Sequence, residues 1–223
     1  MYPFRQVLIV FTAAVWLVLV GAGLWQQARY DRTPGAAIAS AADAWPADSA
    51  LDRDPSRPCL VMAAHPRCPC TRASLRQLER LLSAAGKSVS ATVLFMAPEG
   101  VPGGWERTDL WKTAAAIPSV RVVRDAGGAE AVRFGALTSG ECVLFAADGR
   151  RLFHGGITAA RGHEGDNAGQ DRLMDLLRAG TAAVEMPSVS GAASTPVYGC
   201  PLRDAAVPTS EASGQAPGGG GRP

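Results

Sequence analysis

Chemistry in this chain concentrates at two cysteines one residue apart, in the run His65-Pro66-Arg67-Cys68-Pro69-Cys70. The reactive form of a cysteine is the thiolate, so the first question is what would hold a thiolate there. Proline is favoured at the first position of a helix, and Pro69 in that role makes Cys68 the cap, with its sulfur beside backbone N–H groups that have no helical partner. The positive helix end, with Arg67 next in sequence and Arg72 in the first turn, predicts a lowered Cys68 pKa and a nucleophilic thiol. A disulfide between Cys68 and Cys70 would close a small, strained ring, and such a bond is exchangeable rather than structural. The plainer alternative is two half-buried cysteines packed at a helix start.

Other residues offer partners to this pair. Cys200 lies in a dense patch of the tail and can fold back to resolve a mixed disulfide at Cys68 or Cys70; the alternative is an idle tail cysteine. Cys59 and Cys142 sit inside apolar runs and read as small core residues. His65 with Cys68 and Cys70 supplies one nitrogen and two sulfurs, a set that suits Cu(I) or Zn(II), with His154 or His163 as a distant fourth ligand. As a structural residue, His65 is simply the polar end of a strand. The run Arg161 to Asn167, RGHEGDN, reads either as a functional loop beside the cysteines or as the approach to a helix capped by Asp166 or Asn167. Gly155-Gly156 before it suits close backbone approach.

The elements that must position these residues follow from composition and period. Five cysteines in 223 residues are too few for a disulfide-built scaffold, and a net charge of +2 with scattered basic residues gives no nucleic-acid footprint. Val7 to Trp25 carries no charge, and a helix of that length, at ~1.5 Å per residue, nearly matches a ~30 Å hydrocarbon core. The possible cleavage sites after the span, Ala37-Ile38-Ala39 and Ala42-Asp43-Ala44, lie far downstream, which favours an uncleaved signal-anchor over a signal peptide. Residues 1–25 are therefore expected to anchor the chain in a membrane, 26–56 to form a flexible linker, and 57–180 to form one domain. Residues 181–223 are rich in Ala, Ser, Pro and Gly and read as a largely disordered tail, with a docking segment at 195–202.

Within the domain, Cys59 to Ala64 reads as a central strand, and Leu75, Leu78, Leu81, Leu82 and Ala85 recur on a helix closed by Gly86. Strands are expected at Val89–Met96 and Val120–Val123, with a helix at Trp105–Ala116 between them. A hairpin about Asp148-Gly149 joins Cys142–Ala146 to Arg151–His154, and a last helix lies near Gln170–Ala179. The order is β-α-β-α-β-(α)-β-β-α, parallel units first and an antiparallel hairpin last.

The motif His65-Pro66-x-Cys68-Pro69-Cys70-Thr71-x-Ala73-Ser74-Leu75, with Gly155-Gly156-Ile157-Thr158-x-x-Arg161-Gly162-His163-Glu164-Gly165-Asp166-Asn167, resembles the thioredoxin-like superfamily, and within it the RedB-like membrane-anchored bacterial proteins. The likeness spans roughly Pro58 to Ala179 plus Tyr198-Gly199-Cys200-Pro201. It implies an α/β thioredoxin-like fold, a central mixed sheet with flanking helices, after one N-terminal transmembrane helix. It also implies thiol redox work on protein thiols or disulfides, with no cofactor.

Two departures from ordinary thioredoxins matter. Aligning the second cysteine of their Cys-x-x-Cys motif with Cys70 puts Arg67 at the attacking position, so the nucleophile moves to Cys68. Thr138-Ser139-Gly140-Glu141 replaces the stretch that carries their cis-proline, which bears on how a substrate chain is bound.

The leading expectation is a thiol-disulfide oxidoreductase using Cys68 with Cys70 or Cys200. The alternative is a copper-binding, chaperone-like protein using His65, Cys68 and Cys70. The Pro-x-x-x-Thr-x-x-Cys signature of peroxiredoxins is absent. A dithiol site belongs where disulfides persist, which favours a periplasmic domain, although Arg29 and Arg32 after the span against Arg5 before it favour the cytoplasm.

Overall fold

The structure is a computed structural model that describes residues 2–36, 42–179 and 194–203. Helix α1, Tyr2–Asp31, is long and apolar enough to cross a membrane, and its apolar span is unburied. The domain then runs β1 (Cys59–Ala64), α2 (Pro69–Ala85), β2 (Ser90–Ala97), α3 (Asp109–Ala116), β3 (Val120–Ala126), α4 (Ala129–Arg133), β4 (Glu141–Phe145), β5 (Arg151–Gly156) and α5 (Ala168–Ala179). This is the order that the periodicities predict.

The five strands form one sheet in the order β3-β2-β1-β4-β5. β1 pairs parallel with β2 and antiparallel with β4, and every residue of β1 is buried, as a strand flanked on both sides and covered on both faces requires. Alternation along β1 builds two cores. Leu60, Met62 and Ala64 pack with Leu75, Leu78 and Leu81 of α2, Leu110 of α3 and Leu173 of α5. Val61 and Ala63 face the other way, against Phe134, Phe145, Leu51 and Leu202. Gly86, with φ 64, closes α2 as its position predicts.

Two boundaries differ from the sequence expectation. α3 begins at Asp109 rather than Trp105, because Pro102-Gly103-Gly104 turns the chain, with Trp105 N–H donating to Pro102 O at 3.2 Å. The stretch read as linker, 26–56, is helical to Asp31, and its second half lies on the domain. Trp45 meets Phe134 and Phe145 edge-to-face at 4.9 and 5.2 Å, Leu51 is buried, and Ser49 Oγ donates to Glu130 at 2.7 Å. Two isolated apolar anchors among Ala, Asp and Pro carry no period, so composition alone reads them as linker. The tail segments 181–193 and 204–223 lie outside the described residues.

Trp45→Ala in the full chain is expected to cost about 2 kcal/mol, below the range for a fully buried tryptophan because Trp45 is half-buried. Urea unfolding in detergent measures it; an unchanged midpoint would mean that residues 42–56 contribute nothing to the domain.

Candidate functional site

β1 ends at Ala64, and the chain turns through His65-Pro66 into Cys68, which caps α2 in extended geometry (φ −94, ψ 121) with Pro69 at its first turn. The turn is tied by Cys68 N–H to His65 O at 3.2 Å and by Thr71 Oγ1, which donates to His65 O at 3.0 Å. Ser139 braces it from the β4 side, accepting from His65 N–H at 2.9 Å and lying 2.7 Å from Thr71 Oγ1. Gly140 N–H donates to Ala63 O at 2.8 Å. The Gly140 backbone has φ +90, and a Cβ there would strike Ser74 Oγ.

The same strip receives the segment around Cys200. Ser139 N–H donates to Cys200 O at 2.8 Å, and Leu202 N–H donates to Leu137 O at 2.9 Å, with Thr138 and Pro201 as antiparallel partners. Gly199 must be glycine, because a Cβ would collide with Ser139 O. Gly155-Gly156 plays the same part for Thr195 to Val197: Thr195 Oγ1 donates to Gly156 O at 2.9 Å, and side chains at either glycine would meet the Thr195 or Pro196 backbone.

This pairing sets Cys68 Sγ 2.7 Å from Cys200 Sγ, and the sulfurs of Cys68, Cys70 and Cys200 all lie within 4.8 Å of one another. Cys68 is 2% exposed; the other two are half-buried. Burial by itself would raise the Cys68 thiol, but hydrogen bonding from the side chain and backbone of Cys200, then the backbone N–H groups of Cys70 and Thr71, outweigh it and hold the thiol below its ordinary value. Among the described residues no N–H closes a full capping hydrogen bond on the sulfur, so the helix end acts as a set of nearby dipoles. Burial, the hydrogen bond to Cys68 and the charge on Cys68 push Cys200 up to about 12. Burial and the Cys68 charge raise Cys70 as well.

The cation at the sulfurs is Arg161, which lowers both raised thiols, rather than Arg67 or Arg72 as the local sequence predicts. Arg67 stacks on Trp105, 4.4 Å from its ring centroid, and Arg72 pairs with Asp109. Arg161 donates to Gly199 O through its guanidinium, accepts a position from α1 by donating its N–H to Asp31 O at 2.9 Å, and stacks on Tyr30 at 4.8 Å. The RGHEGDN run thus does both things read in it. Arg161 reaches the cysteines, Glu164 pairs with Arg76 and Arg80 of α2, and Asn167 Oδ1 accepts from Gln170 N–H at 2.9 Å as the cap of α5.

His65 stands outside the three-sulfur cluster. Its Nδ1 accepts from Arg67 N–H at 3.1 Å, and its ring meets the Trp105 edge. His163 lies 3.9 Å from Asp31. Cys59 and Cys142 are buried in strands, and burial followed by the Glu141 charge pushes the Cys142 thiol far up, away from reactivity.

Sequence reasoning missed one pair. Glu141, fully buried, accepts from Leu137 N–H at 2.8 Å and Thr138 N–H at 3.0 Å, and so shapes the strip that holds Cys200. Its other oxygen lies 2.7 Å from His154 Nε2, though the two atoms are not aligned as a full hydrogen bond. Both line a cavity of about 230 Å³ with Gly35, Thr195 and Val197. An acid at the head of the apolar run Glu141–Phe145 and a histidine in Arg151–Gly156 were the available signals.

The fold is thioredoxin-like: a mixed sheet with helices on both faces and a strand-to-helix cysteine motif. It is shared with a hypothetical protein from Sinorhizobium meliloti, 22% identical, covering 78% of this chain and 96% of that one with a TM-score of 0.52. An uncharacterized conserved protein from Geobacillus kaustophilus is 17% identical, covering 78% and 94% with a TM-score of 0.54. A secreted Mycobacterium tuberculosis disulfide oxidoreductase is 16% identical, covering 56% and 82% with a TM-score of 0.38. No family model and no curated protein matches the chain.

Two outcomes test this geometry. Cys200→Ala removes the S–H donor facing Cys68 and is expected to move the pH midpoint of Cys68 thiolate formation upward, read by ultraviolet thiolate absorbance in a Cys70→Ser background; a downward shift would refute the hydrogen-bond account. Glu141→Ala leaves two strip N–H groups without their acceptor, at a cost of about 1–3 kcal/mol. It should speed alkylation of Cys200 while Cys142 stays protected.

Proposed function

We propose that this chain is a membrane-anchored thiol-disulfide oxidoreductase of the RedB-like kind, with Cys68 attacking and Cys200 resolving. The observation that carries this reading is the 2.7 Å approach of the Cys68 and Cys200 sulfurs, made by two stretches of chain 132 residues apart.

The chemistry follows from that approach. Cys68 thiolate attacks one sulfur of a protein disulfide, forming a mixed disulfide and releasing the other substrate sulfur as a thiolate, which takes a proton from solvent. The negative charge that held Cys200 protonated is then gone from Cys68, and Arg161 favours the Cys200 thiolate. Cys200 loses its proton and attacks Cys68 Sγ, and the second substrate thiol departs. The protein is left with a Cys68–Cys200 disulfide and the substrate has gained two electrons and two protons. An external dithiol returns the pair to the reduced state; run backwards, the same steps oxidise a substrate.

α1 supplies the anchor in this reading. Tyr30 and Asp31, which touch Arg161, follow Trp25 by five or six residues, so the site sits about 8 Å of helix beyond the apolar run. Its substrates are therefore protein disulfides presented close to a membrane surface. The periplasmic side is favoured because disulfides persist there, against the weak charge bias of Arg29 and Arg32.

Titration of the reduced chain against a glutathione series, with thiol trapping and mass spectrometry, is expected to give a reversible two-electron Cys68–Cys200 couple. Cys68→Ser should abolish exchange, and Cys200→Ser should accumulate mixed disulfide. A disulfide confined to Cys68–Cys70, or full exchange in Cys68→Ser, would overturn the assignment. A reporter fused after Pro223 that is active only in the cytoplasm would overturn the location.

A further inference from the structure

We infer that the reduced forms of Cys68, Cys70 and Cys200 together make a three-sulfur site for monovalent copper. The inference uses the same sulfurs as the proposed function but does not depend on their redox couple.

The donor set selects the ion. Among the described residues, the ligand atoms of these three cysteines lie within 4.8 Å of one another, and no histidine or carboxylate joins them. Soft thiolates favour Cu(I) and Zn(II), but zinc at a structural site takes four ligands in a tetrahedron, whereas Cu(I) is satisfied by three sulfurs in a plane. Sulfurs at roughly 2.3 Å from a central ion stand about 4 Å apart in such a plane. Ligation therefore asks the Cys68–Cys200 pair to open from 2.7 Å while keeping all three within their present spread.

The surroundings suit an anionic copper centre. Three thiolates on one Cu⁺ carry a net charge of −2, and Arg161, whose Nε is buried without a hydrogen-bond partner among the described residues, stands beside the cluster with the N-terminal dipoles of α2. The ligands come from two stretches held by backbone pairing, the α2 cap and the strip at Ser139, so the site is formed before the ion arrives. Binding exchanges up to three thiol protons for one Cu⁺, with no electron transferred. A Cys68–Cys200 disulfide removes two of the three ligands, so oxidation releases the ion and bound copper protects the thiols.

This ligand set differs from the histidine-containing one that the sequence offers, since His65 Nδ1 is engaged by Arg67 N–H. The test is anaerobic titration of the reduced full chain in detergent with Cu(I), in competition with a chromogenic Cu(I) chelator. One equivalent is expected, with three sulfurs and no nitrogen in the X-ray absorption spectrum. Cys200→Ser should lose more affinity than the roughly 10–100-fold that outer-shell changes cost. His65→Ala should bind as the parent does. Wild-type affinity in Cys200→Ser, or a nitrogen ligand lost in His65→Ala, would overturn the inference, and the spectrum of the unmutated chain decides it should a variant misfold. The glutathione titration of metal-free protein is read separately: a reversible couple without copper binding removes only this inference, and copper binding without a couple removes only the oxidoreductase.

Discussion

The pairing of the strip Leu137-Thr138-Ser139 with Cys200-Pro201-Leu202 is the constraint on which the rest of the site depends. Two backbone hydrogen bonds set Cys200 against the cysteine at the head of α2, 132 residues earlier in the sequence. Each side of that pairing is secured elsewhere. Leu202 is buried in the core beneath the sheet, and the strip is held by Glu141 from within and by Ser139 against Thr71 and His65. An edge of this sort is what an extended peptide would otherwise pair with. Here the protein's own tail fills it and brings its own sulfur.

The electrostatics of the three thiols are one interaction seen from three sides. Sulfurs this close cannot all ionise in a largely buried site, so the proton distribution belongs to the cluster. Cys68 is where the charge settles, since Cys200 and two helix N–H groups converge on it, and the same charge holds Cys70 and Cys200 protonated. In the proposed exchange, that asymmetry separates attacker from resolver. It reverses once Cys68 is bonded to another sulfur, which is the moment at which a resolving thiolate is required.

Much of the frame was legible. Leucines at three- and four-residue intervals fixed α2, Gly86 its end, and Asp148-Gly149 the hairpin, because each of these signals is local. Residues 42–56 were not legible, since Trp45 and Leu51 act as single anchors whose partners, Phe134 and Phe145, are distant in sequence. At the site, Cys68 and Cys70 announced themselves by spacing, and Cys200 by a dense patch in a sparse tail, but no spacing shows that sulfurs 132 residues apart touch. Charge was the least legible property. Arg67 and Arg72 are neighbours of Cys68 in sequence, yet Trp105 and Asp109 draw them away, and the effective cation arrives from a loop ninety residues on. Glu141 was hidden by the apolar residues that follow it.

Arg161 also joins the site to α1. Its guanidinium lies between the Tyr30 ring and the Gly199 carbonyl, and its N–H donates to Asp31 O, the last residue of α1. Gly35 N–H donates to Val197 O at 2.8 Å, and Thr138 Oγ1 donates to Ala36 O at 2.9 Å, so the chain leaving α1 lies along the segment that carries Cys200. A flexible connection would leave the cysteines free to turn in any direction relative to α1. This one ends in contact with the residue that tunes them, which ties the orientation of the thiols to the direction of the helix and makes the exit of α1 part of the site rather than its attachment.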